Sequence, residues 1–551
     1  MHRLFLMLIG ILIVSLWQVA AADTYIRVNQ IGFLPSDSKV AVVMSHQDLT
    51  ETEANIINQT TGTSTILRLS KDHGPYLAFP HHFRVDFSQV RETGVYTIQV
   101  DSINSSQFQI DTNLYTPLCD SLLRFFQVQR CGENPALFHA LCHRMDATSV
   151  VGYHRGKNSI EVDLTGGWHD AGDYVKFTLT TAYTAYLLLL THEYSPNLIP
   201  DRDGNGYSDL LDEAKIGLDW LIKAHFLPGK VLTQVTDLTD HSVGWRMPEN
   251  DPLENQRPAY YAPSQAYSAS TVAALAIGAA RFQAVGDTSF AAKCLLNAIT
   301  IYNGIPDLPV WASGPDSMYV DRSCIDNYML AASELFRATG IEVYREEANV
   351  LFKHLPIVHW ISWGDLGGIA KIRIFPFNPE VRAELNRSLQ FYAAIAQNNP
   401  FSYPLANYPW GSAAMQSGVA MLAQLYESAT QDSSYRWLAE RQRDFLLGNN
   451  SHGVSFFTGI GSEYPRNPHH QIAYLTKRAL PGTLVAGYCS REQVKRQRIH
   501  YEGVDRFEKF QSQEAVYFDD RNDFLCNEPT IGNNAQALWM MAWFAKRERK
   551  P

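Results

Sequence analysis

The sequence predicts an N-terminal β-sandwich followed by a large all-α domain. Two observations carry this. Short alternating stretches separated by turn residues fill residues 24 to about 112, and long alanine- and leucine-rich stretches of helical period dominate from about 115 onward. The chain has 551 residues, of which 46% are hydrophobic and 19% charged, so sizeable cores can be buried and global disorder is excluded.

Residues 1–22 read as a secretory signal peptide. His2 and Arg3 give a positive start, Leu4 to Leu16 is apolar apart from Gly10 and Ser15, and Ala20, Ala21 and Ala22 offer small residues for cleavage. The apolar stretch is short for a membrane span, which leaves an uncleaved anchor as the alternative. The mature protein is expected to be exported, secreted or periplasmic, and free of the membrane after cleavage.

Residues 23–112 make the first domain. Tyr25-Ile-Arg-Val-Asn alternates, Lys39-Val-Ala-Val-Val is a short apolar run, and Gly94-Val-Tyr-Thr-Ile-Gln-Val alternates again. Pro35-Ser-Asp-Ser, Thr61-Gly-Thr and Lys71-Asp-His-Gly supply turns. Several short strands over this length suggest a sandwich. The segment holds no catalytic cluster and reads as an accessory module.

Residues 113–551 make the second domain. Helical patterns run from about 181 to 193, 210 to 224, 268 to 284, 326 to 339, 413 to 430, 435 to 447 and 534 to 547. The loops between them are long and rich in Pro, Gly, Trp and Tyr. Paired helices closed into a ring would bury so many apolar faces and leave chemistry to the loops at one end. Periodicity by itself specifies only a large all-α domain.

The formal net charge of −10 argues against a nucleic-acid binder, which would carry a basic stripe, but not against a neutral substrate such as a sugar. Aromatic residues are abundant at 12%. The seven cysteines are too sparse for a disulfide scaffold in so long a chain. Beyond Cys131 and Cys142, they are read as buried thiols or one bridge.

Chemistry concentrates at two places. Gly166-Gly-Trp-His-Asp-Ala-Gly-Asp-Tyr sets Asp170 and Asp173 three apart beside glycines, with Trp168 and Tyr174 as sugar-stacking surfaces. Two carboxylates this close repel if both ionise, so one has a raised pKa or the two share a water. Near the C-terminus Glu528 lies among Phe524, Leu525, Cys526 and Pro529, an apolar setting that suits a general acid. Without more context, the first could be a solvated loop and the second a glutamate that caps a helix.

The first motif resembles the aspartate signature of glycoside hydrolase family 9, the inverting cellulases. Tyr517, Asp519, Phe524, Glu528, Thr530, Asn534 and Ala535 match the family's second signature at every defined position. Leu446-Leu-Gly-Asn-Asn, Ser455-Phe-Phe-Thr-Gly and Pro468-His-His-Gln resemble its histidine signature. Tyr25 to Pro35 is similar to the start of the immunoglobulin-like domain that precedes many bacterial members. The resemblance spans nearly the whole mature chain and implies an (α/α)6 barrel. It implies Asp173 as the general base, Asp170 as a second holder of the attacking water, Glu528 as the general acid, and His469 as a sugar contact. Asp519 enters the substrate-binding set as part of the second signature. The arginine that normally ends the histidine signature is Gln471 here, an amide in place of a charged fork, and Glu463 also departs from the pattern. Both departures leave the exact substrate open.

Two metal sites are expected. Asp201, Asp203, Asn205, Tyr207 (through its carbonyl), Asp209 and Asp212 follow the spacing of a calcium loop, with Gly206 at the turn. An acidic turn capping the next helix is the alternative. Cys131, Cys142, His143 and His154 offer two thiolates and two imidazoles, a closed structural zinc set of a kind that several family members resemble. A Cys131–Cys142 disulfide is the rival. No organic cofactor is expected. Asp237 and the segment Asp240 to Glu249 resemble a family loop that lines the cleft. Trp245, Trp311, Trp363, Tyr403 and Trp410 are candidate stacking platforms for glucan faces. The leading function is an inverting endo-β-1,4-glucanase, expected to act as a monomer. An exo-acting glycosidase on glucosamine or short cello-oligomers is the alternative, and the carboxylate set argues against an inert carbohydrate-binding protein.

Overall fold

The structure is a computed structural model and describes residues 24–50, 52–132, 139–147, 149–152 and 162–548. The proposed leader, 1–22, lies outside these residues. No helix among the described residues is long and apolar enough to cross a membrane.

The N-terminal domain is built from nine strands: β1 (Thr24–Arg27), β2 (Gly32–Phe33), β3 (Val40–Ser45), β4 (Glu53–Asn58), β5 (Ser64–Arg68), β6 (His81–Asp86), β7 (Gly94–Val100), β8 (Ile103–Asn104) and β9 (Phe108–Ile110). They form two sheets, β1-β3-β6 and β2-β9-β7-β4-β5, with β8 paired to β7. In β3, Ala41 and Val43 point into the sandwich core with Ile56, Ile98 and Phe108. Val42 and Met44, on the opposite face, join the core of the second domain. The period-two alternation of one strand thus serves two cores at once.

Among the described residues twelve longer helices follow: α1 (Thr116–Gln129), α2 (Thr178–Tyr194), α3 (Asp209–Ala224), α4 (Gln265–Ala284), α5 (Thr288–Gly304), α6 (Ile325–Thr339), α7 (Glu342–Phe352), α8 (Gly367–Ile374), α9 (Val381–Gln397), α10 (Ser412–Thr430), α11 (Arg436–Leu446) and α12 (Ile531–Glu548). The even-numbered helices pack in sequence, α2 on α4, α4 on α6, α6 on α8, α8 on α10, α10 on α12, and α12 back on α2. The odd-numbered helices lie outside them. This is a closed (α/α)6 barrel. The inner helices α2, α4 and α10 are buried nearly all round, which is why they are apolar on every face.

The two domains are joined by a buried charge. Arg443 of α11 is fully enclosed and donates at 2.7 Å both to Asp37 of the sandwich and to its neighbour Asp444. Its guanidinium also lies 4.3 Å from the Phe544 ring centroid. Asn29 donates to Asp444 at 2.9 Å from the sandwich side. Breaking one partner of such a set leaves an uncompensated buried charge, so the domain pairing is specific.

Candidate active site

Each of the six inner helices is preceded by a loop, and these loops carry the polar groups of the site. Asp170 and Asp173 precede α2, His241 precedes α4, Tyr319 precedes α6, Trp363 precedes α8, Trp410 precedes α10, and Glu528 precedes α12. The site therefore sits at the N-terminal ends of the inner ring.

Asp170 and Asp173 differ in their surroundings. Asp170 is 2% exposed and accepts hydroxyl hydrogen bonds on both oxygens, from Thr180 and, at 2.6 Å, from Tyr319. Burial raises its pKa to about 7, against the lowering effect of those hydroxyls, and Asp173 adds to the rise. Asp173 keeps some solvent contact. Its Oδ1 accepts from the Val175 amide at 3.0 Å, and its Oδ2 lies 2.7 Å from His241 Nε2. That contact raises the His241 pKa to about 9, so its imidazole is charged at neutral pH.

Glu528 is pushed well above the usual carboxyl range, first by burial and next by the charge of Asp173. The Gly172 amide donates to its Oε1 at 3.3 Å. Gly172 is required here by close approach: a Cβ would stand 2.2 Å from the His469 carbonyl oxygen. The Gly172 carbonyl in turn accepts from the Gln471 amide, which ties the aspartate loop to the histidine loop. Gln129, at the end of α1, donates to the carbonyls of His169 and Ala171 and lies 2.7 Å from His470 Nε2. His469 places Nδ1 2.6 Å from the Arg521 carbonyl and Nε2 4.0 Å from Glu528, and burial lowers its pKa. Trp245 stands edge-on to His469 with ring centroids 5.3 Å apart. Trp311 and Trp410 are about half exposed, and Trp363 is half-buried edge-on against Tyr319.

Several expected contacts are corrected. Trp168 is 1% exposed, lies against Gly217 of α3 and donates its indole N–H to Glu213 at 2.7 Å, so it offers no face to a sugar. Tyr174 is equally buried, with its hydroxyl on the Arg246 carbonyl. Tyr403 is a core residue stacked on Tyr408. Gln471 is buried and accepts from the Arg246 amide at 3.0 Å, so the neutral amide supports the Trp245–Arg246 turn. Asp519 accepts from the amides of Arg466 and Asn467 and pairs with Arg506 at 2.5 Å, which anchors the approach to His469.

Cys131, Cys142 and His143 do come together, but the fourth member of the set among the described residues is His169; His154 lies outside them. All four are buried. His143 Nδ1 is 3.1 Å from His169 Nε2, Cys131 Sγ is 3.6 Å from His143 Nδ1, and Cys142 Sγ is 3.9 Å from His169 Nε2. These are three of the six separations among the four ligand atoms, all of which lie within 4.8 Å of one another, a convergence compatible with one metal ion. His143 Nε2 lies 3.0 Å from Asp251, placed as an outer carboxylate would be to orient the imidazole. Asp251 also pairs with Arg246, which pairs with Asp240 beside His241. A buried chain of charges thus runs from the cysteine–histidine set to the loop holding Asp173.

The calcium-type loop behaves differently. Asp201 accepts from the amides of Gly204 and Gly206, and Asn205 donates to Asp203 and Asp212. The Tyr207 amide donates to Asn205. Asp209 is engaged by Arg202 through both oxygens. The carboxylates do not converge as the cysteine–histidine set does.

The model of glycosyl hydrolase family 9 matches residues 115–541, and that of the cellulase N-terminal ig-like domain matches residues 21–105. The chain belongs to glycosyl hydrolase family 9. Its relatives include endoglucanase D of Acetivibrio thermocellus, 26% identical over 484 residues, covering 81% of this chain and 75% of the relative. The fold is similar to that of a metagenome-derived glycoside hydrolase family 9 endoglucanase, with a TM-score of 0.81 at 26% identity, covering 95% of this chain and 99% of that one. It is also similar to a zinc-binding triple mutant of the family-9 endoglucanase J30, with a TM-score of 0.78 at 26% identity, covering 93% and 99%.

Proposed function

We propose that this family-9 hydrolase cleaves internal β-1,4 bonds of cellulose or a related β-glucan with inversion. The observation that carries the reading is the division of labour among three carboxyls. Glu528 is buried, its pKa is pushed well above the usual carboxyl range by that burial, and it stands next to His469, which suits it to protonate the leaving oxygen. Asp173 retains solvent contact and is oriented by His241, which suits it to accept a proton from water. Asp170 has both oxygens engaged by hydroxyls and acts by holding the loop and the local charge rather than as the principal base.

His469, Trp245, Trp311, Trp363 and Trp410 are assigned to sugar contact. Cys131, Cys142, His143 and His169 would hold one structural zinc, which closes the aspartate loop from behind and takes no part in the reaction. Calcium at 201–212 would require Asp209 to leave Arg202. Export is part of the same reading. The test is product analysis on carboxymethyl-cellulose, cello-oligosaccharides and chitosan oligomers. A steep early fall in the viscosity of carboxymethyl-cellulose supports the reading; release of terminal units alone, or cleavage restricted to chitosan oligomers, contradicts it.

A further inference from the structure

All seven cysteines are buried. Cys131 and Cys142 belong to the set described above. Cys489 and Cys526 form a second pair, with sulfur atoms 3.4 Å apart and both side chains at 0% exposure. The backbone fixes this approach from both sides. Cys489 exchanges two hydrogen bonds with Val516, at 3.2 and 2.9 Å, and the Gly487 amide donates to the Cys526 carbonyl at 2.9 Å. Cys526 is held in turn by its amide on Asp523 Oδ1 at 3.0 Å. The second sulfur of the pair lies two residues ahead of Glu528, at the base of the loop that presents the general acid.

We propose that Cys489 and Cys526 form a disulfide that staples the acid loop to the segment Gly487–Cys489. The oxidant is an external disulfide, either of a small thiol or of a thiol–disulfide oxidoreductase. One cysteine thiolate attacks it, releasing one thiol and leaving a mixed disulfide. The second thiolate attacks the cysteine sulfur of that mixed bond and releases the second thiol. Two protein thiols and one external disulfide thus become one protein disulfide and two external thiols. The exchange accompanies folding, because both sulfurs are shut from solvent once the core closes. The bond encloses residues 490–525, including the segment that carries Asp519 and Tyr517, and constrains that length in the unfolded chain.

The inference needs an oxidising setting, which the proposed export supplies, so the test separates chemistry from location. Full-length protein is reduced, unfolded and refolded with zinc in a buffer of reduced and oxidised glutathione. It is then unfolded without reductant, alkylated and peptide-mapped. The expected result is a linked peptide pair containing Cys489 and Cys526, with Cys119, Cys294 and Cys324 alkylated. Alkylation or glutathionylation of both Cys489 and Cys526, or a bond from either to another cysteine, overturns the proposal. The same map on protein exported to an oxidising compartment serves if refolding fails, and free thiols at both positions overturn it there. In a second measurement, reductant lowers the unfolding midpoint of the wild type by a few degrees and leaves the doubly substituted Cys489→Ser, Cys526→Ser protein unmoved. A wild-type midpoint insensitive to reductant contradicts the staple.

Discussion

His241 Nε2 stands 2.7 Å from Asp173 Oδ2, a contact that raises the His241 pKa to about 9. The pair fixes the direction of the Asp173 carboxylate while leaving its Oδ1 on the Val175 amide. Removing the imidazole leaves the base present but unaimed. His241→Ala is therefore expected to lower kcat by roughly a hundredfold, the cost of a small misplacement of a reacting group, with KM changed little. In the wild type the pair is lost as pH rises through about 9, where His241 deprotonates. A pH–rate profile of both proteins checks this; unchanged kcat in the variant contradicts it.

Asp170 makes a stability prediction with a definite sign. Its folded pKa of about 7 lies above the unfolded value of 3.8, so the folded state binds the extra proton. Stability is then lost as pH rises from about 4 to about 7, by up to roughly 4 kcal/mol at about 1.4 kcal/mol per unit. Asp170→Asn removes that loss. The variant is expected to gain stability relative to wild type as pH rises through this window, while losing activity less severely than Asp173→Asn. Denaturant unfolding at a series of pH values measures the trend, and a stability difference that does not change with pH rules it out.

Glu528 must be protonated to act. Burial raises its pKa well above the usual carboxyl range, and activity is expected to fall as pH rises through that raised pKa. Glu528→Gln keeps the shape and removes the transferable proton, so turnover of natural glucan should fall by roughly 10²–10⁴-fold with folding intact. Substrates with a good leaving group need less protonation. They should retain much more of their rate in the variant and lose the alkaline limb contributed by Glu528. A variant that keeps more than about a tenth of wild-type activity on glucan would remove Glu528 from its role.

The metal reading is checked by elemental analysis of the purified protein, with about one zinc per chain expected. His169→Ala should lose the metal, because the four converging atoms include one from His169. Stripping the metal is expected to lower the unfolding midpoint more than the kcat of the protein that stays folded. A Cys131–Cys142 disulfide with no zinc contradicts the assignment.

Much of this was legible in the chain. Five of the six inner helices were readable, and in α2, α4 and α10 burial nearly all round makes every face apolar; α8 was not readable, being short and opened by Gly367 and Gly368. Of the outer helices, α3 and α11 were read from the sequence, whereas α1, α5, α7 and α9 were not. The three carboxyls were legible through the resemblance of their segments to the two carboxylate signatures of the family; spacing alone left a solvated loop and a helix cap open. Tyr319 and Thr180 did not, since a hydroxyl that reaches a carboxylate through the fold leaves no local signature. His241 was visible only as part of a loop, and His169 was hidden inside the aspartate motif itself. Trp168 and Tyr174 misled because an aromatic beside a catalytic residue can equally be the packing that holds it.

The central claim is that Asp173 and Glu528 work through water in a single displacement. Proton NMR of the earliest products of β-glucan hydrolysis, recorded before mutarotation, tests it directly. The account predicts that the α-anomer of the new reducing end appears first. Appearance of the β-anomer first would mean a covalent glycosyl-enzyme, and would contradict the roles given to both residues.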